Sequence, residues 1–318
     1  MDVALPYDPA TRAGEMATDA MPLAGWGGGA TGGGIDAYAY AASWAVVEGI
    51  ATSVGEAQLS EALQRVVAGI SAYEPLGAGD PVPSARGHAP VDTRRFLDQL
   101  TAVGGTDVAA LFKGVVFGPE ADAELAARAA ARTDYADLAA ASGDWGTPDP
   151  IRAAMAAWRF DRAHPAIAQA AAWLRERDIL VAKIARAGLT TPRRLKELFV
   201  AGGGDSEAQA ELEAETTVVD AFLDLQARPA SADGLLERIG LFAADDPRLL
   251  LNAAATSFDA GDLQAAAEAL DQAELQLNRA PADGVVRIAS AIVVITVAIV
   301  LVTHTIRLRR GSHYTAAP

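Results

Sequence analysis

Four histidines, His88, His164, His304 and His313, are scattered over 318 residues, and no two stand in HExxH, HxH or HxxxH spacing. A metal site whose histidines come from one helix or strand needs their rings on one face, so a site of that kind is excluded. Ser84, His88 and Asp92 are the residue types of a hydrolytic triad. They sit in or beside PLGAGDPVPSARGHAP, a Pro/Gly loop in which nearness along the chain does not set triad geometry, and no nucleophile elbow is present. They read as surface residues. The chain has no cysteine, which removes a thiol nucleophile, a disulfide framework, thiolate-bound zinc and iron–sulfur clusters together. Gly27-x-Gly29-x-x-Gly32 matches a dinucleotide fingerprint in form. That fingerprint needs a preceding strand, which residues 15–24 do not supply, and GWGGGATGGG reads as a linker. A glycosidase-type pair needs two carboxyls about 5–10 Å apart, a separation that spacing does not encode. Most of the 41 acids therefore read as solvated helix faces and caps.

The elements that would have to position such residues are helices. Hydrophobic residues make up 51% of the chain but aromatics only 6%, because alanine dominates, and alanine favours helix while filling little core. Apolar periodicity predicts helices at 35–54, 56–73, 92–103, 107–117, 120–142, 150–159, 162–187, 192–201, 205–227, 232–242, 247–260 and 262–279, and no alternation of period two persists. Thr147-Pro148, Asp149-Pro150, Thr191-Pro192 and Asp246-Pro247 each pair a capping residue with a proline suited to the first helical turn. Ile167, Ala170, Leu174, Val181 and Ile184 make one packing stripe, and Ala208, Leu212, Val219 and Phe222 another. A degenerate repeat follows residue 188. Phe199, Ala201-Gly202 and Asp205-x-x-Ala208 are echoed by Phe258, Ala260-Gly261 and Asp262-x-x-Ala265, which suggests two related helix-turn-helix units.

The stretch Trp44-Ala-Val-Val-Glu48-Gly49-Ile50-Ala51 resembles the helix of bacterial gluzincins, the aminopeptidase-like zincins, that carries their third zinc ligand. Tyr73, the 94–100 and 128–135 helices and Trp145 follow in an order similar to the helical region behind that site. The resemblance implies that Glu48 is the third metal ligand. It also implies that the HExxH histidines fall at Gly25 and Gly29 and the general base at Trp26, and none of these three residues can do that work. No catalytic residue and no cofactor are expected of the chain as given. Zinc would enter only if a preceding segment supplied HExxH.

Ile288 to Ile306, IASAIVVITVAIVLVTHTI, carries no formal charge. At 1.5 Å per residue it covers roughly 28 Å, close to the hydrocarbon thickness of a bilayer. A single C-terminal transmembrane helix is expected over 286–306. Arg307, Arg309 and Arg310 follow it in a tail without acids, so the positive-inside rule places the tail, 307–318, in the cytoplasm. The 23 remaining bases and all 41 acids precede the tail, a charge of −18 that should then lie outside. Exporting it calls for a signal that the first residues lack, which suggests a longer protein or a tail-anchored one facing the cytoplasm.

The expected organisation is all-α: a flexible segment 1–34, a helical domain 35–160, a helical-hairpin stalk 161–281 and the membrane helix. The acidic surface argues against nucleic acid as a partner. A membrane is the first expected partner and a peptide or protein the second. The reading that follows is an extracytoplasmic, membrane-anchored helical protein, a catalytically incompetent gluzincin-like remnant acting in display, spacing or peptide binding. The alternatives are the C-terminal part of an active zinc peptidase and a tail-anchored helical-repeat adaptor.

Overall fold

A computed structural model describes residues 9–15, 17–26, 33–74, 92–228, 234–242 and 247–311. The protein is all-α, with no strand among these residues. Its helices are α1 Pro9–Glu15, α2 Gly34–Val54, α3 Glu56–Val67, α4 Thr93–Gly104, α5 Ala109–Phe112, α6 Asp122–Ser142, α7 Asp149–Ala156, α8 Phe160–Ala187, α9 Arg193–Gly202, α10 Ser206–Ala227, α11 Leu235–Leu241, α12 Pro247–Asp259 and α13 Leu263–Gly311. They form two compact units, Met1–Ala172 with Val200–Gly203, and Trp173–Phe199 with Gly204–Pro318.

In the first unit, α2 ends where Gly55 takes a φ of 91°, and α3 begins at once. Asp92 caps α4 by accepting from the Arg94 backbone N–H at 3.1 Å. The core gathers Ile50, Val66, Leu97, Leu100, Phe112, Leu138, Ile151 and Met155. The helix expected over 107–117 is cut to one turn. After Phe112 the chain reverses at Gly114, whose φ is 78°, and the Val115 and Val116 carbonyls accept from the Leu23 and Ala24 N–H groups, both at 2.9 Å. Within the segment expected to be unstructured, α1 and the short turns Ala17–Asp19 and Leu23–Gly25 are formed.

The second unit is built from helix pairs. Phe199 and Phe258 are both buried at equivalent places in α9 and α12. The turns that follow also match: Asp205 Oδ1 accepts from the Ala208 N–H at 3.0 Å, and Asp262 Oδ1 from the Ala265 N–H at 3.0 Å. The stripe of α10 is buried throughout, whereas in α8 it passes through Leu180 and leaves Val181 exposed.

Helix α13 differs from expectation in being continuous over 49 residues with Pro281 inside it. Its first part buries Ala266, Leu270, Ala273 and Ala280. Helix α11 then crosses it so closely that a Cβ at Gly240 would overlap the Ala280 carbonyl, and one at Gly284 the Leu236 carbonyl. Only glycine permits that approach of two backbones. Support from α11 at this point, together with loss of only one hydrogen bond to a proline, lets the helix run on where PADG predicts a break. From Ala289 to Arg307 every residue is exposed. This is the one helix among the described residues long and apolar enough to cross a membrane.

Candidate functional site

Helices α4, α6 and α7 of the first unit enclose a polar core. Arg128 of α6 is fully buried. Its Nε donates to Asp98 Oδ1 at 2.7 Å, its Nη1 to Asp107 Oδ1 at 3.1 Å, and its Nη2 to Thr101 Oγ1 at 2.8 Å and more weakly to the Leu97 carbonyl at 3.5 Å. Every guanidinium nitrogen therefore has an acceptor, the condition under which a buried arginine is tolerable. The second Asp98 oxygen accepts from Trp158 Nε1 at 2.7 Å. Trp158 lies just beyond α7 with a φ of 55°, the one described residue other than glycine with positive φ. A bulky side chain holds that conformation only where its surroundings compensate, and here the bond to Asp98 and the Arg94 and Arg128 guanidiniums near its ring do so.

Beside this network, a cavity of about 300 Å³ opens between the Ile70–Tyr73 turn, Arg95 and Asp98 of α4, and Ala153, Ala156 and Ala157 at the end of α7. Its wall is apolar on the alanine side. Both Asp98 oxygens are already engaged, while Arg95 uses Nη2 toward the Gly69 carbonyl at 2.8 Å and keeps other donors. Tyr73 completes the rim. Its hydroxyl accepts from Arg132 Nη1 at 3.2 Å, and burial, aided by the Asp98 charge, pushes its pKa well above the ordinary phenol range against the opposing pull of Arg132 and Arg128. Tyr135 crosses the Tyr73 ring edge-on, and its hydroxyl donates to the Tyr73 carbonyl at 3.2 Å and shares a 2.8 Å bond with Thr147. Burial raises its pKa too. Thr147 is thus engaged by Tyr135 rather than by capping α7, and Asp149 lies inside the first turn, paired with Arg152.

A second buried acid stands in the other unit. Glu215 of α10 is fully buried, and neither carboxyl oxygen has a hydrogen-bond partner among the described residues. Burial, with the neighbouring Glu211 charge adding to it, pushes its pKa up to about 8.

The residues singled out by sequence lie elsewhere. Glu48 is exposed on α2, on the same side as the exposed Tyr40, Trp44 and Val47. Trp26, at the general-base position, donates its Nε1 to Asp36 at 2.9 Å instead. Gly25 closes a short turn, and Gly29 lies outside the described residues, as do Ser84, His88, Gly27, Gly32, Asp246 and His313. No group of three or more His, Asp or Glu side chains is placed to hold a metal among the described residues. His164 pairs with Asp134 at 2.8 Å, and His304 is exposed on α13. Arg307 is exposed near the end of α13, and Arg309 and Arg310 belong to its last turn.

The site residues that periodicity missed left a trace in it. Arg128 follows Leu125 by three on the apolar face of α6, and Glu215 fills the gap between Leu212 and Val219 in the stripe of α10. A charged residue at a core position is the signal that could have found both.

No family model matches this chain, no curated protein matches it, and no solved structure matches it.

Proposed function

We propose that the protein is a single-pass, membrane-anchored helical module that displays its folded units at the bacterial cell surface, with its bulk outside and its C-terminus in the cytoplasm. The observation that carries this is the division of α13 into a half packed within the second unit and an apolar stretch exposed along its whole length. A water-soluble protein would bury such a surface. The hydroxyls of the stretch support the same reading, because Ser290, Thr296, Thr303 and Thr305 each donate to a carbonyl one turn back, at 2.8 to 3.0 Å. Polar groups satisfied inside the helix suit a solvent that cannot hydrogen-bond. Arg307, Arg309 and Arg310 supply the orientation. In this reading the gluzincin-like residues are a non-catalytic remnant, with Glu48 a surface glutamate. Because the chain has no native cysteine, Ala182→Cys at an exposed position of α8 gives a single label site. A membrane-impermeant maleimide should label it in intact cells, and labelling only after lysis would reverse the orientation.

The cavity beside Arg95 favours a second activity compatible with the first, the capture of a peptide end through its carboxylate, with the small side of the chain against the alanine wall. Calorimetric titration with C-terminal tripeptides should show binding that Arg95→Gln abolishes. Equal binding by the corresponding peptide amides would sink this reading.

A further inference from the structure

We infer that the start of α11 is interfacial: Leu235 and Leu236 lie in the headgroup layer beside the membrane helix and press against the lipid. The inference rests on the membrane reading of α13. Its evidence is the level at which α11 crosses that helix. Leu236 meets Gly284, and Gly240 meets Ala280, so the two helices run antiparallel and the start of α11 is its membrane-proximal end. Gly284 precedes Ile288, where the uncharged stretch begins, by four residues, or about 6 Å of rise. The headgroup layer on each side of the hydrocarbon is about 5–7 Å thick. Leu235 and Leu236 therefore fall at its depth.

What they present there is apolar. Leu235 is 68% and Leu236 38% exposed, and Val285 and Val286 of α13, at the same level, are 52% and 63% exposed. The charge nearest the boundary is turned back from it. Arg287 stretches toward the amino end of α13, and its Nη1 donates to the Ile239 carbonyl at 2.9 Å, which keeps the guanidinium on the aqueous side and ties α11 to α13. Continuity of this patch with the spanning stretch identifies the occupant as the lipid surface. Leucines at the membrane-proximal end of a helix are taken out of water at the acyl boundary, which favours this placement.

The same geometry excludes the most exposed aromatic of the region. Phe242, 90% exposed, follows Leu236 by six residues along the antiparallel helix and so sits level with position 278, about 15 Å before Ile288. It should stay in water despite its exposure.

Three single-cysteine variants of the full chain, Leu235→Cys, Phe242→Cys and Ile295→Cys, each carrying an environment-sensitive fluorophore, test this in phosphatidylcholine nanodiscs with nitroxide lipids spin-labelled near the headgroup or deep in the acyl chain. The label at 295 should be quenched most by the deep nitroxide, that at 235 by the shallow one with a blue-shifted emission, and that at 242 by neither. Quenching at 295 without quenching at 235 would overturn the interfacial placement while leaving the anchor intact. No quenching at 295 would overturn the anchor itself, and quenching at 242 equal to that at 235 would overturn the depth assignment.

Discussion

Asp98 and Glu215 are both buried carboxylates in helical surroundings, one in each unit, and they are held in opposite ways. Asp98 faces Arg128 on one oxygen and Trp158 on the other, so its charge is matched and its lone pairs are used. Glu215 is buried with neither oxygen hydrogen-bonded among the described residues, and the charge that acts on it is another acid, Glu211. The first arrangement sets the carboxylate against a guanidinium and pins three segments of chain together. The second keeps its proton instead, since removing the charge costs less than burying it unpaired. Burial alone therefore does not decide what an acid does in a fold; the partners do.

The largest effect should come from breaking the matched pair. Arg128→Ala leaves Asp98 buried with only the more distant Arg132, at 3.7 Å, as counter-charge and should destabilise the first unit by about 3–5 kcal/mol. Hydrogen exchange read by mass spectrometry on the detergent-solubilised chain should show protection lost in α4, α6 and α7 while α10 and α12 keep theirs.

Next in size is the pH response of the unmatched acid. Its folded pKa, about 8, lies above the ordinary value of 4.5. Below the ordinary value both folded and unfolded chains hold the proton and stability is full. Between the two values only the folded chain holds it, so stability falls as pH rises, by up to about 1.4 kcal/mol per pH unit, and levels off above the folded value. Denaturant melts from pH 5 to 8 should show this slope in the second unit. Glu215→Gln should flatten it, and an unchanged slope in that variant would assign the proton to another group. Glu215→Met should add about 1–3 kcal/mol at pH 8 by removing the buried charge.

Smaller changes grade the matched side. Trp158→Phe keeps an aromatic ring but deletes the indole donor to Asp98, and should cost about 1–2 kcal/mol in thermal unfolding. Asp107→Asn should cost less than about 1 kcal/mol, because that carboxylate is 42% exposed and screened by water. If Asp107→Asn proved as damaging as Arg128→Ala, the pin would be the exposed pair and not the buried one.

The helices were legible wherever apolar residues recur at three and four, and α2, α4, α6, α10 and α12 fall within a few residues of their predicted limits. Capping was less legible: of the Thr/Asp–Pro pairs at α7, Thr147 is taken by Tyr135, a partner twelve residues away, and Asp149 lies inside the helix, whereas Asp92 and Asp205, which no proline marks, each accept from the first turn of their helices. What failed has a common cause, since each case depends on a neighbour distant in sequence. Val115 and Val116 pair with Leu23 and Ala24 rather than continuing α5, and α13 survives Pro281 beside α11. The polar core could not be assembled from spacing, because Asp98, Arg128 and Trp158 stand thirty and sixty residues apart and meet only through tertiary packing. The membrane stretch was readable because its evidence is local, a run of uncharged residues of bilayer length.

Helix α13 passes from the second unit into its apolar stretch with no loop between them. In the anchored state a flexible joint would let the unit and the membrane segment turn independently. A continuous helix about 74 Å long makes them a single lever. Bilayers thinner than the apolar stretch are met by tilting the helix, and thicker ones by drawing it upright. In the membrane-anchored reading, local bilayer thickness would set the angle at which the second unit is held.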